Sequence, residues 1–282
     1  MRLIGYKSDG VRHIGRLDGE SVEPLATTAD FYAKPDVALG QAGGTDRLPL
    51  AELDVVPFVP ETARVFCVGI NYLAHGDEAK RTGGIDLPEH PMIFGRWEST
   101  LVVDGAPVPV PPNEPGLDWE VELAAVIARP GFAVGAAGAL DHVLGYTAFN
   151  DLSARRKQTE TMQFTLGKNA DSSGPIGPVL VTADELPDHR DLRLRTRVNG
   201  EVVQDASTGD MIHGLPEIIA YISDTVSLLP GDVITTGTPS GVGASMDPPR
   251  FLNDGDVVEV EVEHIGVLRT PIIDRRDLQV FH

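Results

Sequence analysis

The sequence has 282 residues, 41% of them hydrophobic, which suits one large domain or a large domain with a small satellite. A formal net charge of −19 makes nucleic acid and anionic membrane surfaces poor partners, because both repel it. A single cysteine, Cys67, excludes a disulfide framework and a cysteine-based metal site, and no apolar run approaches the ~18 residues of a membrane-spanning helix.

The first residues, Met1-Arg2-Leu3-Ile4, lead into glycine and charge rather than a long apolar run. No signal peptide is expected, and the chain reads as a cytoplasmic protein. Residues 1–60 read as a small β-rich unit, with hairpin signals at Ser8-Asp9-Gly10 and Asp18-Gly19. A short helix is expected within 30–44. The proline-rich stretch 48–60 marks a soft boundary, so the chain divides into 1–60 and a main domain, 61–282.

Residues 64–69 form an apolar strand that runs into Ile70-Asn71-Tyr72 and a polar, helical segment. There His75 and Glu78 stand three apart, on one helix face. A carboxylate that holds an imidazole orients it and raises its basicity, as a general base requires. A plain surface helix start fits the same residues. Residues 79–90, rich in Gly, Pro and charge, read as a mobile loop able to close over a site. Strands are expected at 91–97 and 101–110.

Residues 117–127 then read as a strand. Alternation puts Asp118, Glu120 and Glu122 on one side and Trp119, Val121 and Leu123 on the other. Clustered carboxylates repel unless a cation sits between them. A buried end at 124–127 points to a hard divalent ion with oxygen ligands. The competing reading is a solvated edge of an acidic protein. A further apolar strand, 143–149, ends in Asn150-Asp151. Asp151 suits either an active-site residue at a strand end or the N-cap of the segment that follows, which carries Arg155 and Gln158.

The loop 163–178 carries one cation, Lys168, which anchors an anion if it faces the carboxylates. Asn199-Gly200 is a type I′ hairpin signal. A helix over 216–228 aligns Ile218, Ile219, Ile222, Val226 and Leu229. Strand 233–236 runs into Gly237-Thr238-Pro239-Ser240-Gly241-Val242-Gly243, which lacks the lysine of a P-loop and suits close backbone approach to a small ligand. In 257–263, glutamates alternate with valines, as in a strand with a solvated acidic face. Many short strands and few helices favour an α+β, β-rich fold.

In order along 64–273, the segments Gly69-Ile70-Asn71-Tyr72 with His75 and Glu78, Asp118-x-Glu120-x-Glu122, Asn150-Asp151-x-Ser153-Ala154-Arg155 with Gln158, Gly167-Lys168, Gly174-Pro175-x-Gly177-Pro178, Asn199-Gly200-Glu201, and Pro230-Gly231-Asp232 with Gly237-Thr238-Pro239-Ser240-Gly241 resemble the fumarylacetoacetate hydrolase superfamily. The resemblance implies a rolled, barrel-like mixed sheet, a small N-terminal domain and a homodimer. It implies a Mg²⁺ or Mn²⁺ site on Glu120, Glu122 and Asp151, and His75 and Glu78 as a water-activating pair. Lys168 would neutralise an anionic 2-oxo acid. Arg155, Gln158, Thr238, Tyr72 and Arg96 are candidate substrate contacts. Arg96 stands in a segment where many members carry lysine, and it keeps the charge but not the geometry. The implied reaction is hydrolytic C–C cleavage of an acylpyruvate-like or 2,4-dioxo acid. The alternative is a decarboxylase (oxaloacetate-like) or keto–enol isomerase on the same site, and the third reading is a non-catalytic binding protein.

Overall fold

The computed structural model describes residues 1–83, 87, 89–161, 163–186 and 188–275. Two sheets dominate it. The larger, of twelve strands, takes in order Leu48–Pro49, Ser21–Thr27, Val11–Asp18, Arg2–Ser8, Gly174–Thr182, Val143–Asn150, Val121–Ile127, Val233–Thr235, Arg64–Gly69 and Met92–Trp97, with two short strands at its side. The second has five strands, including the hairpin Arg193–Val198 and Glu201–Ser207 beside Val257–Val262. Neither sheet closes into a barrel among the described residues, so the fold is a strand-rich α+β arrangement without the closure the resemblance implied.

The hairpins follow their turn residues. Asp9 and Gly10 take φ of 49° and 80°, and Asn199 and Gly200 take 52° and 84°. Two positive φ values in a two-residue loop match the right-handed twist of the strands they join. The N-terminal strands continue the large sheet, with Arg2 and Leu3 opposite Val181 and Leu180.

The strand Val121–Ile127 is buried throughout. Val121, Leu123, Ala125 and Ile127 pack into one apolar cluster, and Ala124 and Val126 into another. Core therefore covers both faces of this part of the sheet. The strand lies antiparallel to Val143–Asn150, with Val121 opposite Asn150, and to Val233–Thr235, with Ala124 opposite Thr235.

Several elements differ from the sequence reading. The expected helix at 30–44 is two helices, Thr28–Ala33 and Pro35–Gly40, split where Pro35 removes an amide donor. The helix at 216–228 is shorter, Leu215–Ser223, and Leu229 is half exposed. The helix carrying His75 extends over Leu73–Gly83, so the first part of the expected loop 79–90 is helical. Residues 84–86 and 88 of that loop lie outside the described residues. Lys168 sits on a short helix, Thr165–Lys168, rather than in a loop.

Candidate active site

The strand register assembles a carboxylate cluster from distant sequence. Because Val121 pairs with Asn150, Glu120 and Asp151 become neighbours, and the Asp151 N–H donates to the Glu120 carbonyl at 3.0 Å. Glu122 lies two residues along on the same face as Glu120. Each of the three residues offers an oxygen within 4.8 Å of the others'. All three are buried, Asp151 completely. The helix Arg155–Thr159 has Ala154 at its N-cap, so Asp151 is not the cap residue that the sequence allowed.

Three cations hold this cluster. Lys168 Nζ donates to Glu120 Oε2 at 2.9 Å and to Asp151 Oδ2 at 2.6 Å. Arg155 donates through Nε to Asp118 Oδ2 at 2.8 Å, places Nη2 2.5 Å from Glu120 Oε1, and reaches Gln158 Oε1 through Nη1 at 2.9 Å. Arg96 Nε donates to Asp151 Oδ1, while its other nitrogens reach Ser173 Oγ and the Leu152 carbonyl at 2.9 and 2.6 Å. Arg96 therefore clamps Asp151 from behind and does not line the cavity described below.

Burial opposes the charges of Glu120 and Lys168, but their mutual pairing outweighs it. The Glu120 carboxyl is held far below the usual range by Lys168 and Arg155, and Lys168 is raised by Asp151 and Glu120. Glu122 goes the other way. Burial and the charges of Asp151 and Glu120 push it well above the usual carboxylate range. It accepts from the Gly237 N–H at 2.8 Å, and no basic side chain among the described residues pairs with it. Gly237 has φ of 85°, and a Cβ there would meet Asn71 Cβ and the Val68 carbonyl at 2.9 Å, so the loop needs glycine to deliver this donor.

Alternation had grouped Asp118 with the two glutamates. Its backbone instead bridges to Ser153 ahead of the strand, and its carboxylate accepts from the N–H groups of Gly243 and Ala244 at 2.7 and 3.0 Å. Asp118 thus ties the glycine-rich loop and Arg155 to the cluster.

A cavity of about 270 Å³ opens over this cluster. Of the sequence-predicted residues, His75, Glu78, Glu120, Arg155, Gln158, Lys168 and Thr238 line it. Glu122, Asp151, Arg96 and Tyr72 lie outside its wall. Tyr72 is buried with its hydroxyl unpartnered among the described residues, and burial and the nearby Glu122 push it up. His75 Nδ1 lies 3.3 Å from Glu78 Oε2, and Glu78 also accepts from the Gly241 N–H at 3.0 Å. Burial raises the Glu78 carboxyl, but His75 and the Gly241 amide outweigh it and hold Glu78 ionised. An ionised acceptor at Nδ1 assigns the proton to that nitrogen and leaves the Nε2 lone pair free for chemistry.

The sequence reading did not single out the apolar walls, to which Val68, Phe94, Phe164 and Val242 belong. Nor did it foresee Ile70, a β-branched residue on that wall with φ of 52°, where such side chains are strained. Apolar residues in strands carry no mark that separates a cavity wall from a core.

The donor set fits a divalent cation in chemistry and charge. All three candidate ligands are hard carboxylate oxygens. Three cations face four buried carboxylates here, counting Asp118, and Glu122 is the one without a paired cation among the described residues. Lys168, Arg155 and Arg96 already engage the oxygens of Glu120 and Asp151. An ion would share those oxygens through their second lone pairs or shift Lys168 aside.

Residues 64–273 match the family described as fumarylacetoacetate (FAA) hydrolase C-terminal. A mitochondrial oxaloacetate tautomerase of Rattus norvegicus is 37% identical over 291 residues, covering 97% of this chain and 92% of its own. An oxaloacetate tautomerase of Bacillus subtilis is 39% identical over 246 residues, covering 86% of this chain and 80% of its own. A crystal structure of 2-hydroxyhepta-2,4-diene-1,7-dioate isomerase from Mycobacterium marinum superposes with a TM-score of 0.79 at 35% identity, over 98% of this chain and 99% of that one. No helix among the described residues is long and apolar enough to cross a membrane. On the extent of the family match and on these relatives, the chain belongs to the fumarylacetoacetate hydrolase family.

Proposed function

We propose that this protein is a divalent-metal-dependent keto–enol tautomerase of 2-oxo acids. The observation that carries the reading is one cavity lined both by the His75–Glu78 pair and by the Glu120–Lys168 edge of the carboxylate cluster. Glu120, Glu122 and Asp151 would hold the ion, Mg²⁺ or Mn²⁺. When bound, it supplies a Lewis acid for the carboxylate and keto oxygens of the substrate. Lys168 has one ammonium hydrogen beyond the two given to Glu120 and Asp151, and directs it at the substrate carboxylate. His75 Nε2 takes a proton from C3, the C–H electron pair becomes the C2=C3 double bond, and the C2=O π pair moves onto the oxygen. Glu78 stabilises the imidazolium, which returns its proton to the C2 oxygen directly or after exchange with solvent. No water is consumed and the composition of the substrate is unchanged. Gln158 and Thr238, both on the cavity wall, are proposed to orient the substrate. Arg96 is proposed to position Asp151.

Hydrolytic C–C cleavage of an acylpyruvate-like acid would use the same pair on a water molecule instead of C3–H. The named activities of the relatives favour tautomerisation. Following the ultraviolet absorbance of oxaloacetate enol with Mg²⁺ or Mn²⁺ tests the reading. His75→Ala is expected to lower kcat by roughly 10²- to 10⁴-fold, the range for losing a general base, with thermal stability unchanged. Full activity in that variant would overturn the assignment of His75. Release of two acids from an acylpyruvate, with no effect on the enol, would replace tautomerisation by hydrolysis. A cytoplasmic homodimer is part of the proposal, open to cell fractionation and sedimentation.

A further inference from the structure

The hairpin of the second sheet sends one polar side chain to the glycine-rich loop. In the strand Glu201–Ser207 only Gln204 is buried. Its pairing with Arg193–Val198 slips by one residue: Thr196 stands opposite Gln204 but Arg197 opposite Val202, so Val203 is bulged. A bulge re-aims the side chains beside it. The loop rests directly on this bulge. Gly241 has φ of 98°, and a Cβ there would run into the Val203 carbonyl and come within 3.3 Å of Gln204 Cγ.

The partners of the Gln204 amide fix which end is which. Oε1 accepts from the Thr196 hydroxyl at 2.7 Å and from the Val121 N–H, between Glu120 and Glu122, at 3.2 Å. A backbone N–H can only donate, so the oxygen stands there. Nε2 donates to the Pro239 carbonyl, which can only accept, and to Thr238 Oγ1, both at 3.0 Å. The Thr238 hydroxyl is therefore an acceptor toward Gln204, and its own proton points elsewhere. Among the described residues that hydroxyl donates to no group, and Thr238 lines the cavity.

We infer that Gln204 is a positioning residue, which holds the Thr238 hydroxyl with its proton toward the cavity as a fixed donor to an anionic oxygen of the substrate. A free hydroxyl rotates between giving and accepting. One that already accepts from an amide is committed to giving. That suits the carboxylate and enolate oxygens of a 2-oxo acid, and it needs no reorganisation as charge develops. The same amide ties this donor to Val121, so the hydroxyl keeps its place relative to the glutamates on either side. The inference rests on the tautomerase reading for the identity of the substrate and assigns the direction of one hydrogen bond to it.

The test is a double-mutant cycle on the Mg²⁺-loaded protein. Calorimetric titration gives the dissociation constant of oxaloacetate, and ultraviolet absorbance gives kcat/KM for its enol. Thr238→Val keeps the shape and removes the hydroxyl. It is expected to weaken binding and to lower kcat/KM by roughly 10- to 100-fold each, the range for a hydrogen bond to a charged group. Thr238→Ser is expected to recover most of that loss. Gln204→Met is close in length and cannot donate. It is expected to cost about tenfold when Thr238 is present and no more than about twofold once Thr238→Val has been made, because the two act as one unit. An equal cost in both backgrounds would show that Gln204 acts on the fold or on the glutamate strand, and would overturn the inference. So would a Thr238→Val variant that matches the unaltered protein in both readouts. Should Gln204→Met fail to fold in thermal denaturation, the threonine variants decide: a loss that serine recovers supports the donor, and a loss that serine does not recover overturns it. The expected losses in binding, with no turnover of the enol by the unaltered protein, would support the donor and overturn the tautomerase reading.

Discussion

Two stretches of this chain share one pattern and meet opposite fates. In Asp118-Trp119-Glu120-Val121-Glu122 every carboxylate is buried, whereas in Glu259-Val260-Glu261-Val262-Glu263 every carboxylate reaches solvent. Glu261 settles for a surface pair with Arg197 at 2.8 Å. Period two tells which side chains share a face, and nothing about what covers that face. The first stretch enters a strand with apolar core on both sides. The second keeps Val258, Val260 and Val262 inward and leaves its acids outside. A carboxylate in water needs no partner, while one under core demands cations.

Removing one acid from each stretch breaks the comparison most sharply. Glu120→Ala would leave Lys168 with Asp151 alone and Arg155 with Asp118 alone, and removing one partner from buried ion pairs costs up to about 3–5 kcal/mol. A large fall in the unfolding midpoint and loss of turnover are expected from thermal denaturation and the enol assay. The next effect concerns pH. The folded state raises Glu122 above its ordinary value of 4.5, so the folded chain binds more protons than the unfolded one. Its contribution to stability is present below 4.5 and is lost as pH rises through the raised value. Metal-free protein should therefore lose stability on this limb, and Glu122→Gln should flatten it. Glu120, held low, works in the opposite sense, and its contribution is lost as pH falls. Chemical denaturation across pH, with and without the substitution, separates the two. The smallest effect belongs to the second stretch, where Glu261→Gln should change stability by no more than about 1 kcal/mol, the range for an exposed pair.

Much of the fold was legible because local chemistry fixed it. Asn199-Gly200 and Asp9-Gly10 dictate their turns, and the valines of 257–262 dictate an inward face. The candidate site was legible only in part. The pairing of Val121 with Asn150 decides that Asp151, and not Asp118, joins Glu120, and no local signal encodes a contact thirty residues away. The ordered motifs of the family supplied that choice. Arg96 shows the opposite limit. Its charge was noticed, but only the path of the Met92–Trp97 strand turns it behind Asp151 and away from the cavity. The barrel-like closure was an expectation of resemblance alone, and the strand pairings do not contain it.

The central claim is that Glu120, Glu122 and Asp151 hold a divalent ion. Calorimetric titration of Mn²⁺ into metal-free protein tests it most directly. One saturable site should appear, accompanied by proton release because a ligand must deprotonate. Glu122→Gln and Asp151→Asn should each weaken it by tenfold or more. No saturable heat, or equal affinity in both variants, would mean that Lys168, Arg155 and Arg96 neutralise the cluster with no ion at all.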